Sequence, residues 1–90
     1  MDNYEFHKSI CDKLNETYIQ KNKAYGNSFS ETFEKLGPIS AITRISDKYN
    51  RLVNLTTNHN VDIGDESIKD TLLDMANYCI MTYMEMENHK

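Results

Sequence analysis

The run Thr71-Leu72-Leu73-Asp74-Met75-Ala76-Asn77-Tyr78-Cys79-Ile80-Met81-Thr82-Tyr83-Met84 is the most apolar stretch in the chain. Its apolar residues spread around most of a helix, and a helix that is hydrophobic on most sides is buried on most sides. The predicted helix starts near Asp65, a good N-cap, and continues to the C-terminus. Its predicted buried side is Ile68, Leu72, Met75, Ala76, Cys79, Ile80 and Tyr83. A 90-residue chain can cover only part of such a surface. A partner subunit is expected to supply the rest.

The same periodicity extends towards the N-terminus. Residues 58–64 form a polar, turn-rich linker. Before it, residues 38–57 read as a helix with Ile42, Ile45, Tyr49, Leu52 and Val53 on its inner face. Gly37-Pro38 closes one helix and opens the next, with Gly after a helix end and Pro in a first turn. Upstream, Ser30 can cap a short turn of helix that carries Glu31 and Glu34 early and turns Phe33 and Leu36 inward. The breaker cluster Tyr25-Gly26-Asn27-Ser28 ends the first helix, predicted from about residue 2 to about residue 23. There Phe6, Ile10, Leu14 and Tyr18 recur every fourth residue as a narrow apolar stripe. The expected fold is all-α: one domain over residues 1–90, a small bundle of three main helices plus a short helical turn, completed by oligomerisation.

Composition narrows the function. The formal net charge is -4, which suits duplex DNA poorly because non-specific DNA binding neutralises many phosphates. A small phosphorylated ligand needs only a few local cations, fewer still if a bound divalent ion adds charge. No apolar run approaches a membrane span, and the acidic, polar start Met1-Asp2-Asn3-Tyr4-Glu5 does not resemble a secretory signal. With no secretory signal, Cys11 and Cys79 read as reduced cysteines in the cytoplasm, and Cys-His zinc spacing is absent.

Three groups of residues can carry chemistry. On the last helix, Glu66, Asp70, Asp74 and Asn77 are spaced 4, 4 and 3 apart and so share one line. Three carboxylates in a row repel unless a cation sits among them. Hard oxygen ligands of this kind suit Mg²⁺. Asp74 interrupts the apolar run, so it needs either a metal or a cationic side chain beside it. On the third helix, Arg44, Asp47, Lys48 and Arg51 form a cationic strip with one acid, and Arg can grip phosphate oxygens with two donors. Facing strips on antiparallel helices would bind metal on one side and phosphate on the other, or would neutralise each other as interhelical ion pairs. Finally, Lys21, Lys23 and Tyr25 precede a Gly-Asn-Ser turn. These could hold a phosphate and stack a base, or simply form the basic end of a helix.

The segments Lys21-Asn22-Lys23-Ala24-Tyr25-Gly26-Asn27-Ser28-Phe29, Arg44-Ile45-Ser46-Asp47-Lys48-Tyr49-Asn50-Arg51-Leu52 and Asp65 to Tyr78 together resemble the nucleotide modification associated domain 1 family of phages and bacteria. The resemblance covers roughly residues 15 to 85. It implies a role in nucleotide metabolism or DNA modification, in the host cytoplasm if the chain is phage-encoded. A more distant likeness is to the MazG-type all-α nucleoside triphosphate pyrophosphatases, which use Mg²⁺ and two acidic pairs on facing helices. Arg44 and Asp47 here stand where that pattern has two acids.

Two functions follow as expectations. One is Mg²⁺-dependent binding of a nucleoside triphosphate with hydrolysis to monophosphate and pyrophosphate. Asp70 and Asp74 would hold the ion, with Glu66 and Asp47 as further candidates. Lys21, Tyr25, Arg44, Lys48, Arg51 and Asn77 would bind the ligand. The other is a binder without turnover, sequestering a nucleotide or a cyclic nucleotide second messenger of host defence.

Overall fold

The computed structural model describes residues 2–58 and 65–89, and for Asp65 and Glu66 the helical backbone alone. The linker read over 58–64 lies outside the described residues beyond Asn58. Among the described residues the chain is all-α, with helices α1 (Asn3–Tyr25), α2 (Ser28–Leu36), α3 (Pro38–Thr57) and α4 (Asp65–Asn88).

Local chemistry sets the helix ends. The Asp2 carboxylate accepts a hydrogen bond from the Glu5 N–H at 2.8 Å and caps α1. At its other end, Gly26 takes φ +63° and donates its N–H to the Asn22 carbonyl at 2.7 Å. Gly37 does the same for α2, with φ +79° and its N–H on the Phe33 carbonyl at 2.7 Å. Both conformations are costly for any residue with a Cβ. Pro38 then starts α3.

Three details of the expected elements change. The last helix already includes Asp65 in its backbone. Helix α2 begins two residues before Ser30, with Asn27 at the cap position. The Ser30 hydroxyl is therefore inside the helix and donates to the Glu85 carboxylate on α4. Leu36, expected to face inward, is exposed at the end of α2.

The most extensive packing is between α3 and α4; α2 lies on α3, and α1 crosses α4. Arg51 reaches Thr71, and Lys48 reaches Asp74. These pairs step in opposite directions along the two helices, so α3 and α4 are antiparallel. Among the described residues the fully covered apolar core is small: Leu14, Phe33 and Ala41.

Which faces pack differs from the amphipathic reading. On α3 the covered line is Ala41, Ile45, Lys48, Leu52 and Leu55, while Ile42, Tyr49 and Val53 are exposed. The packed face lies about one residue from the predicted one: Ala41 is buried and Lys48 reaches across to Asp74 on α4. On α1 only the second half of the stripe is covered. Leu14 is buried and Tyr18 half-buried, whereas Phe6 and Ile10 are exposed.

The larger change is on α4. Its inward line is Thr71, Asp74, Tyr78, Met81 and Glu85, with Thr71 3% and Glu85 7% exposed. Leu72, Cys79, Ile80 and Tyr83, expected to be buried, are exposed within this chain. The helix turns its hydrogen-bonding side towards α1, α2 and α3 because Thr71, Asp74 and Glu85 each have a partner there. Thr71 accepts from Arg51 Nε at 3.2 Å, Asp74 meets two lysines, and Glu85 meets Ser30 and His89.

Candidate functional site: a four-helix cleft

All four helices contribute to one cleft of about 400 Å³, a volume within the range of small-molecule sites. The end of α1 brings Tyr18, Lys21, Asn22 and Tyr25 to it, and Gly26 turns the chain along its edge. Ser28, Phe29 and Thr32 come from the start of α2, Ser40 and Arg44 from the start of α3. Helix α4 supplies Asp74, Asn77, Tyr78 and Met81.

The cationic wall is made by Lys21 and Arg44. The first N–H groups of a helix have no intrahelical acceptor. At α2 the Asn27 side chain makes no capping bond to them, so the positive end of that helix meets the cleft through Ser28 and Phe29. Aromatic faces lie beside these donors. The rings of Phe29 and Tyr78 stack with centroids 6.1 Å apart and planes 29° apart. Tyr25 is 73% exposed at the edge.

Among the described residues Asp74 is the one carboxylate lining the cleft. Lys21 Nζ lies 3.5 Å from its Oδ1, and Lys48 Nζ lies 3.4 Å from its Oδ2. Asp74 thus joins α1 and α3 to α4. Asn77, one turn further along, donates from Nδ2 to the Leu14 carbonyl at 3.1 Å and fixes where α1 crosses α4.

The structure brings Lys21, Tyr25, Arg44, Asp74 and Asn77 together around this cleft. Lys48 touches it only through Asp74, and Arg51 is turned to Thr71 between α3 and α4. Asp47 and Asp70 are exposed and do not line it. The Glu66 side chain lies outside the described residues. Among the described residues no three His, Cys, Asp or Glu side chains converge as metal ligands.

Sequence reasoning passed over Phe29 and Tyr78 as site residues. The signals were there: Phe29 follows the Gly-Asn-Ser turn directly, and Tyr78 lies four residues beyond Asp74 on its line. Glu85 was also missed, because a carboxylate in the polar tail Met84-Glu85-Met86-Glu87 gives no sign of being buried.

A family model described as nucleotide modification associated domain 1 matches residues 21–86. The chain belongs to that family. Every cleft residue except Tyr18 lies within the span that defines this nucleotide modification associated domain. No curated protein and no solved structure matches the chain.

Proposed function

We propose that this domain binds a nucleotide in the four-helix cleft, without requiring a bound metal. The observation that carries this reading is the convergence of Lys21, Arg44 and the uncapped start of α2 on one cleft that also holds aromatic faces. Phosphate oxygens would lie against the two cations and the α2 N–H groups. The base would lie against Tyr25 or the Phe29–Tyr78 pair. Membership of a nucleotide modification associated family supports the choice of ligand class.

Mg²⁺-dependent hydrolysis of a nucleoside triphosphate is the second reading, motivated by the Asp70–Asp74 spacing. The donor set fits it less well. A single cleft carboxylate already neutralised by two ammonium groups is a poor cation site.

Titration calorimetry with a panel of nucleotides, with and without Mg²⁺, tests both readings on the parent and on Asp74→Asn. The binder reading expects association without Mg²⁺. It also expects equal or tighter binding by Asp74→Asn, which removes a negative charge and releases Lys21. Binding that needs Mg²⁺ and is lost in Asp74→Asn, or release of pyrophosphate, would replace it with the hydrolytic reading. No association with any nucleotide would overturn both.

A further inference from the structure

Helix α4 carries two lines of residues on opposite sides, each with the alternating three- and four-residue spacing of a helix-packing seam. The inward line, 71, 74, 78, 81 and 85, is mostly polar, buried at Thr71 and Glu85 and half-buried between them. The outward line is Leu72, Ala76, Cys79, Tyr83 and Met86, with no charged member. Tyr83 is 68% exposed, and Leu72 and Met86 are each 51% exposed. A helix that hides its polar line and presents its apolar one has its second packing surface on the outside.

We propose that the outward line of α4 docks on the same line of a second copy of this chain, antiparallel, about a two-fold axis at Cys79. Three observations choose this occupant. First, the line is self-complementary when reversed: Cys79 meets its counterpart, small Ala76 meets large Tyr83, and Leu72 meets Met86. Parallel pairing would set Tyr83 against Tyr83 and Ala76 against Ala76, leaving one level crowded and another empty. Second, the chain exposes 7121 Å², whereas a compact monomer of its mass exposes about 5,400 Å². The excess is larger than the roughly 800 Å² each partner gives to a standard interface. Its radius of gyration is 14.9 Å, against about 12 Å for a compact domain of this length. Third, among the described residues the covered apolar core is only Leu14, Phe33 and Ala41. A chain with so little core needs cover that is present whenever it folds, and another copy of itself always is. The contact is isologous and closes on itself, which limits assembly through this face to a pair.

The test uses the full chain. Sedimentation equilibrium at micromolar concentration is expected to give a dimer. Mild oxidation of Cys11→Ser is expected to give a covalent dimer through Cys79, and oxidation of Cys79→Ser is not. In a background lacking both native cysteines, chains carrying Ala76→Cys should cross-link to chains carrying Tyr83→Cys and not to their own kind. Tyr83→Glu should leave a monomer or prevent folding. A well-folded parent monomer would overturn the proposal. So would a dimer that cross-links through Cys11 but not Cys79, or Ala76→Cys chains that cross-link to each other.

Discussion

The Nζ of Lys48 on α3 lies 3.4 Å from Oδ2 of Asp74 on α4, and the opposite oxygen of the same carboxylate faces Lys21 at 3.5 Å. One acid on the inward line of α4 therefore ties down two other helices. The Asp74 side chain keeps 35% of its exposure and Lys21 keeps 60%, so water screens the pairs. Asp74→Asn is expected to cost about 1 kcal/mol, seen as a fall in melting temperature of about 4–8 °C. That is less than the roughly 3 kcal/mol or more that a fully buried pair would lose. A double-mutant cycle with Lys48→Ala should give a coupling below about 1 kcal/mol. A much larger coupling would mean the pair is shielded from water.

Arg44 and Arg51 are one strip in the sequence but have different surroundings in the fold. Arg44 lines the cleft, and Arg51 donates to buried Thr71 at 3.2 Å. Arg44→Ala is expected to weaken nucleotide binding by about tenfold or more, the loss of one charge-assisted hydrogen bond, with little change in melting temperature. Arg51→Ala should do the reverse, lowering stability by about 1 kcal/mol and leaving affinity near the parent value. Calorimetry and thermal melts on the two variants check this. The same phenotype from both would contradict the separation.

Glu85 is 7% exposed and is held by the Ser30 hydroxyl and by His89 Nε2 at 3.2 Å, with the His89 ring against Phe33. This cluster fastens α2 to the end of α4. Ser30→Ala leaves a buried carboxylate oxygen without its donor, at an expected cost of about 1–3 kcal/mol. Urea unfolding should show the midpoint move down with an unchanged slope. A neutral Ser30→Ala would mean that Glu85 finds water instead.

Gly26 has φ +63°, and an added Cβ would meet nothing within 4 Å. Gly26→Ala therefore carries only a backbone penalty, expected at about 1–3 kcal/mol. The same turn sets Tyr25 and Ser28 at the cleft edge, so nucleotide affinity should fall as well. Stability and affinity measured on this one variant separate a strained turn, where both fall, from a relaxed one, where neither changes.

Much was legible in the residues alone. The helices follow from periodicity and from strong punctuation: Gly26, Gly37 and Pro38 each stop or start a helix for a stereochemical reason that neighbours cannot override. The family was legible because its three motifs stand in order along the chain. Lys21, Tyr25, Arg44, Asp74 and Asn77 were legible as chemistry-bearing residues because lone charges and amides beside apolar runs demand partners.

The sequence by itself determined an all-α chain, its helix boundaries to within two or three residues, its family, and that Asp74 must have a cation near it. Only the tertiary structure decided which cation that is, and which way α4 faces. Lys21 is 53 residues from Asp74 along the chain and is brought to it by the crossing of α1 over α4. Periodicity could not orient α4, because both of its sides carry packing-compatible spacing, and apolar content alone points to the wrong one. The polar side wins within the chain because Ser30, Lys21, Lys48 and Arg51 arrive from three other helices to satisfy it. The physical reason is that burial of a polar line depends on partners distant in sequence, and no local pattern encodes where they will be.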